Sequence, residues 1–209
     1  LSTTVIFFLG FFVAFVGVTP PGLLNMTAAR ISLKEGAARG IMFSTGVCIV
    51  VYVQTYVAAI FARYLSSHPD IVAILKRVAF VIFVLITIYF LVLASKQKEL
   101  KEKKEIKSKH GRLLHGMLLS ALNVFPIPFQ AYMTITLVSF GWMNFEKLSI
   151  VTYVTGAATG TFVMLYFYIF FFDKIKDRKF TSQKSMNLSI GVITGLVALV
   201  TFFTILKEL

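Results

Sequence analysis

The sequence is poor in charge, in cysteine and in buried acid. Only 14% of its residues are Asp, Glu, Lys or Arg, where a soluble domain averages about a quarter. Cys48 is the single cysteine and stands inside an apolar run. An intrachain disulfide is therefore excluded, and so is a membrane thiol–disulfide carrier, which needs a cysteine pair. Cys48 reads as a small packing residue. No Asp or Glu lies in the middle of any long apolar stretch. That disfavours carriage of metal ions, which want hard oxygen ligands, and leaves proton coupling without a buried carboxylate relay. His68, His110 and His115 stand near the ends of apolar stretches and form no ligand set. Nucleophile elbow, phosphate loop, zinc-ligand pair and paired carboxylates are all missing. The sequence points to no enzyme and no cofactor.

Apolar residues fill the space those groups leave. The chain is 57% hydrophobic and contains 22 Phe, with a mean hydropathy of +0.83. Six apolar stretches, at residues 4–26, 37–61, 71–94, 113–140, 148–172 and 188–206, are each near the ~20 residues that span ~30 Å of hydrocarbon. The first lacks a basic leader and others follow it, which argues against a cleaved signal peptide. The expected fold is an all-α integral membrane protein with six transmembrane helices.

The net charge is +12, but its distribution argues for topology, not for nucleic acid. With six spans, 16 of the Lys and Arg residues fall on one side and 5 on the other. The positive-inside rule then places the basic loops in the cytoplasm and both termini outside. The longest hydrophilic segment, residues 95–112, carries eight of these basic residues together with Glu99, Glu102 and Glu105. It reads as a solvated cytoplasmic linker with a secondary attraction for anionic lipid headgroups. Glu99–Lys103 and Glu105–Lys109 are spaced for i,i+4 pairs.

That linker divides the chain into residues 1–94 and 113–209, with three apolar stretches each. An odd number per half makes related halves opposite in orientation. Gly10 stands ten residues before Pro20, and Gly116 ten before Pro126. Gly36 and Gly141 follow in the next loops, then Gly46 and Gly156 in the next stretches. The expected architecture is two inverted three-helix repeats whose first and fourth helices are broken by proline.

Those breaks are the most informative feature. The first stretch runs into Thr19-Pro20-Pro21-Gly22 and then Asn25; the fourth contains Asn123-Val124-Phe125-Pro126-Ile127-Pro128-Phe129-Gln130. Each proline removes an amide donor and kinks or breaks a helix; Gly22 is expected to relieve crowding there. Broken backbone survives in hydrocarbon only where protein or a water-filled cavity meets its polar groups. Paired breaks in two halves point to a midplane substrate site. A half-helix N-terminus would favour a carboxylate, and freed carbonyls would accept from an ammonium group. The candidate binding residues are Thr19, Pro20, Pro21, Gly22, Asn25, Gln54, Asn123, Pro126, Pro128 and Gln130, and the expected substrate is a small zwitterion. Gln54 is included because an amide in hydrocarbon needs a partner, although it also suits a role as interhelical glue. The competing reading of the breaks is two kinks that only shape the helices.

Other polar groups are weaker candidates. Ser44, Thr45, Tyr52, Tyr56, Thr155, Thr159, Tyr166 and Tyr168 lie in the second and fifth stretches, the tyrosines resembling interfacial anchors. Glu35 reads as a loop carboxylate beside Lys34 and Arg39, with a gate or a proton group as the alternative. Asp70, after His68-Pro69, reads as first-turn helix chemistry. Gly36/Gly40, Gly156/Gly160 and Gly191/Gly195 are small-xxx-small patterns suited to close helix packing; the last pair is also a possible homodimer face.

On these residues the chain resembles the LysE/RhtB family of bacterial exporters over nearly its whole length. The resemblance is strongest from Gly10 to Gly46: an apolar run, Pro20-Pro21-Gly22, the loop Ser32–Gly36, Arg39-Gly40 and a glycine-bearing second stretch. The family's Pro-Gly-Pro and Asn-Pro-Lys motifs correspond to Pro20-Pro21-Gly22 and to Asn123-Val124-Phe125-Pro126, the second without its lysine. The resemblance implies ion-gradient-driven export of amino acids or related solutes across the inner membrane. A membrane scaffold on the same fold and an inorganic-ion carrier are the alternatives. A transporter predicts polar space between the breaks, a scaffold an apolar filling.

Overall fold

A computed structural model describes residues 2–93 and 108–175, together with residues 191, 192, 195, 198, 199, 202 and 203. Most of the basic linker, residues 95–107, and the charge pairs expected in it lie outside the described residues. Among those described, the helices are α1 (Thr3–Val18), α2 (Leu23–Glu35), α3 (Ala37–Ser66), α4 (Pro69–Ile88), α5 (Lys109–Leu122), α6 (Pro126–Ser139) and α7 (Lys147–Ile175), with a π-helical segment at Tyr89–Leu93 after α4.

Local chemistry sets the boundaries. Ser108 caps α5, its Oγ accepting from Gly111 N at 3.1 Å, as N-cap serines do. Pro69 occupies the first turn of α4 and Asp70 supplies its acid, which is the chemistry expected there. Gly36 ends α2 with φ 93°, a conformation that glycine adopts without steric cost. The chain can then turn directly into α3. α1 and α2 are separated by Thr19–Gly22 and bent by 78°, and α5 and α6 by 66° at Asn123–Phe125.

Two compact units form: residues 1–66 with 105–175, and residues 67–104 with 176–209. In the first unit α1 packs chiefly against α7, and α3 against α5 and α7. Both main crossings depend on glycine. A Cβ on Gly10 would collide with the Tyr153 carbonyl, and one on Gly156 with that of Phe7; likewise Gly46 faces the Leu113 carbonyl and Gly116 that of Phe43. Backbones this close leave no room for a side chain, the small-residue packing that holds helices together in lipid. One core cluster gathers Ile6, Ala59, Leu137, Ile150, Tyr153 and Val154. Phe8, Phe12 and Val16 point outward from α1, and Val53 and Val57 from α3. An apolar exterior of this kind suits lipid.

The expected six transmembrane helices in two inverted three-helix repeats are not what the structure shows. Among the described residues, two helices are long and apolar enough to cross a membrane, Ala37–Ser66 and Lys147–Phe171, and at most four spans result if each bent pair counts as one. Hydropathy counts apolar residues but does not report straightness. α1 has 16 residues, about 24 Å at 1.5 Å per residue, short of ~30 Å of hydrocarbon. The third stretch includes Lys76 and Arg77 and gives way to the π-helical segment, and most of the sixth lies outside the described residues. Nor do the helices separate into two triplets. α1, α2 and α3 interleave with α5, α6 and α7 in one unit.

In the second unit, Gly191 faces the Leu91 side chain and Gly195 that of Thr87. The glycine pair considered for a homodimer face thus packs within its own chain. A hollow of about 430 Å³ is lined by Phe80, Val84, Thr87 and Ile88 and by Gly195, Ala198, Leu199 and Phe202 of the last stretch. Its lining is almost wholly apolar, and none of it belongs to either proline break.

Candidate functional site

Two consecutive prolines strip the first break of amide donors, so its carbonyls need other partners. The protein supplies them. Thr19 Oγ1 donates to Phe15 O at 2.8 Å, and Thr19 N to Val16 O at 3.1 Å. Asn25, buried on the first turns of α2, donates its Nδ2 to Val18 O at 2.6 Å and Pro20 O at 3.0 Å. Tyr168 of α7 donates its hydroxyl to Thr19 O at 2.8 Å. Asn25 therefore staples the broken strand to the helix that follows. Three of the carbonyls at this break, those of Val18, Thr19 and Pro20, are thus engaged within the protein. Pro20 and Pro21 are exposed, and a Cβ on Gly22 would meet only Pro20 O, at 3.9 Å. Crowding is thus not what this glycine relieves. Gly22 is instead the N-cap of α2, with no side-chain acceptor for the first-turn amides.

The second break is met from α3. Gln54, 7% exposed, donates Nε2 to Ser120 O at 3.2 Å and to Asn123 O at 3.1 Å. Its Oε1 is buried and has no hydrogen-bond partner. Ser120 returns a bond to α3 through its Oγ, 3.4 Å from Val47 O. Asn123 caps the C-terminus of α5. Its backbone carbonyl is used by Gln54, while its half-buried side-chain amide takes no hydrogen bond among the described residues. Gln130 is buried on α6, and its Oε1 accepts from Tyr153 Oη at 2.7 Å. Gln130 thus locks α6 to α7. Pro126 occupies the first turn of α6, and Pro128 is exposed.

The starts of the two half-helices differ. Leu23, Leu24 and Asn25 each bring an N–H to the N-terminus of α2. At α6, Pro126 and Pro128 have none, and Ile127 N is bonded to Val124 O at 3.2 Å. Both helices carry the partial positive charge of an N-terminus. Only α2 adds donors that can reach an anion.

The breaks converge. A Cβ on Gly17, just before the first break, would lie 2.9 Å from the Phe129 ring, just after the second. Leu24 packs on a cluster that includes Val47 and Val51 of α3, and Leu119 of α5 packs there too. Leu24 at the start of α2 and Leu119 beside Ser120 thus border the same apolar cluster. At the breaks, the Phe129 ring stands against Gly17, and the Gln54 amide bonds the carbonyls of Ser120 and Asn123.

A third feature joins the other ends of these helices. Glu35, at the end of α2, pairs with Arg112 at the start of α5: Arg112 Nε lies 2.9 Å from Glu35 Oε2, and Arg112 Nη2 bonds Glu35 Oε1. The two side chains are 8% and 10% exposed. Arg39 Nη1 donates to Glu35 O at 2.9 Å, and Arg112 Nη1 lies 3.1 Å from His115 Nδ1. The carboxylate read as a loop group beside Lys34 is in fact nearly buried and bidentate.

Among the other sequence candidates, Thr45, Thr155 and Thr159 bond carbonyls four residues back on their own helices. Tyr168 holds the first break through Thr19 O. Phe129, Arg112 and Tyr153 were not singled out by sequence, and nothing local marks them. Each matters through a partner far along the chain. Among the described residues, His, Cys, Asp and Glu form no group of three able to hold a metal.

A family model described as LysE type translocator matches residues 15–204. No curated protein and no solved structure matches the chain. The match spans both proline breaks and every candidate binding residue. The chain belongs to the family of LysE type translocators, secondary transporters that export amino acids and related small solutes across the inner membrane.

Proposed function

We propose that this translocator binds a small zwitterionic solute where its two proline breaks converge, and that an ion gradient drives the solute out of the cell. The observation that carries the site is the approach of Phe129 to Gly17, which brings both breaks to one place. Around it stand the uncapped amides of α2 and the Gln54–Asn123 pair at the end of α5. Donors for an anion and acceptors for a cation within one unit suit a solute with both charges. Phe129 on Gly17 is the closed side of such a site, and a change in the bend at either break would open it. The basic ends of the helices face the cytoplasm in this reading. In support, the Glu35–Arg112 pair gathers the α2–α3 corner, which carries Arg30, Lys34 and Arg39, and the start of α5, which carries Lys109, at one end of the unit.

Purified protein reconstituted in liposomes tests the reading through counterflow of a labelled amino-acid panel, with and without an imposed pH gradient. Saturable exchange of one class, stimulated by the gradient, is expected. Absence of flux for every amino acid, from folded and inserted protein, would sink it.

A further inference from the structure

We infer that the solute's ammonium group is received by Gln54 Oε1 together with the side chain of Asn123, while the first-turn amides of α2 take its carboxylate. The inference rests on the site proposed above and assigns its two poles.

Four buried side-chain atoms among the described residues lack a hydrogen-bond partner: Ser44 Oγ, Gln54 Oε1, Thr55 Oγ1 and Thr161 Oγ1. Three are helical hydroxyls. Rotation about one bond lets such a group donate to the carbonyl a turn back, as Thr45, Thr134 and Thr159 do. Gln54 has no such escape. Its Nε2 is committed to Ser120 O and Asn123 O, and that commitment fixes which end of the amide is oxygen. The acceptor left over is 7% exposed with its residue, at the irregular backbone of the second break. A buried acceptor without a donor is costly, and an ammonium group is a donor that relieves it with charge assistance.

The neighbourhood supplies the rest. Asn123 places a second amide beside Gln54, since its own carbonyl accepts from Gln54 Nε2, and that amide is not consumed by the fold. No Lys or Arg occurs between residues 40 and 62 of α3 or between 113 and 146 around the second break, so no fixed cation competes for these oxygens. At the opposite pole, α6 is disqualified as an anion site by its two prolines and by the bond from Ile127 N to Val124 O. α2 has three first-turn amides and a glycine N-cap. The polarity of the site then follows: carboxylate toward the first break, amine toward the second. A hydroxy acid offers Gln54 Oε1 only a neutral O–H and loses the charge assistance, so the site favours amino acids over their hydroxy-acid analogues.

The test is inhibition of counterflow in proteoliposomes. The probes are the best-transported amino acid of the panel and its α-hydroxy acid, which keeps the carboxylate and side chain. Wild-type protein should prefer the amine by roughly ten-fold or more, the size of a charge-assisted hydrogen bond. Gln54→Leu and Asn123→Ala should each bring that ratio toward one. Asn123→Ala removes no hydrogen bond of the fold, so it carries the test if Gln54→Leu fails to fold. An unchanged ratio in a transporting variant overturns the subsite and leaves the transporter reading intact. A changed sodium dependence with an unchanged ratio also overturns it, assigning the oxygens to a coupling cation. Loss of amino-acid flux in the wild-type protein removes both readings together.

Discussion

Glu35 and Arg112 stand 77 residues apart in sequence and meet through a bidentate, nearly buried ion pair. One guanidinium face is matched to one carboxylate, a geometry that Lys cannot reproduce. The pair ties the half-helix α2, which begins at the first break, to α5, which ends at the second. Breaking it by Glu35→Gln or Arg112→Ala leaves a buried charge without its partner, a loss of about 3–5 kcal/mol in typical cases. Thermal unfolding in detergent should show both variants well below wild type. Arg112→Lys should fall between, and Glu35→Arg/Arg112→Glu should recover part of the loss. Wild-type melting in either single variant would show that the pair contributes little.

The two asparagines beside the breaks should behave differently. Asn25→Ala removes the donor for the part-buried Val18 O and Pro20 O, and each such hydrogen bond contributes about 0.5–1.5 kcal/mol. Asn123→Ala should change stability by less than about 0.5 kcal/mol, as for a side chain that the fold does not use. The ranking is checked by melting both variants side by side.

These contrasts show what the sequence makes legible. The breaks were readable because proline acts locally: Pro20, Pro21 and Pro126 interrupt the helices where they stand. Gln54 was readable because an amide in an apolar run must have a partner. Asn25 could be placed at the site but not given its task, since nothing in its spacing says that it caps the break's own carbonyls. Glu35–Arg112 and Gly17–Phe129 depend on folding across long separations, and Phe129 is one of 22 phenylalanines. The expectation of six spans in two inverted repeats failed for a related reason. Apolar length is a sum over residues, while bends of 78° and 66° are set by a few of them.

Glycines at the helix crossings should be intolerant. Gly156→Ala would drive a methyl into the Phe7 backbone, which cannot yield like the end of a side chain. Overpacking of this kind costs about 1–3 kcal/mol or more. Gly22→Ala has open space and an extended φ of -118°, so its melting temperature should match wild type. Equal destabilisation by the two would contradict the close crossing of α1 and α7.

The contact between Gly17 and Phe129 should appear as coupling. Gly17→Val forces its side chain against the ring, and Phe129→Ala makes room for it. A double-mutant cycle on stability should give an interaction of about 0.5–3 kcal/mol, the range for residues in contact. Additive effects would mean that the two breaks do not touch.

The central claim is that solute binds where the breaks meet, and protection from alkylation tests it most directly. Cys48 is the only cysteine, so Cys48→Ala provides a blank background. Gly22→Cys places a thiol at the N-cap of α2, where a Cβ has room; Thr155→Cys places one on the exposed face of α7. The transported amino acid should slow maleimide labelling at position 22 in a saturable manner and leave position 155 unaffected. Labelling at position 22 that ignores a saturating concentration of that amino acid would contradict a binding site at the converging breaks.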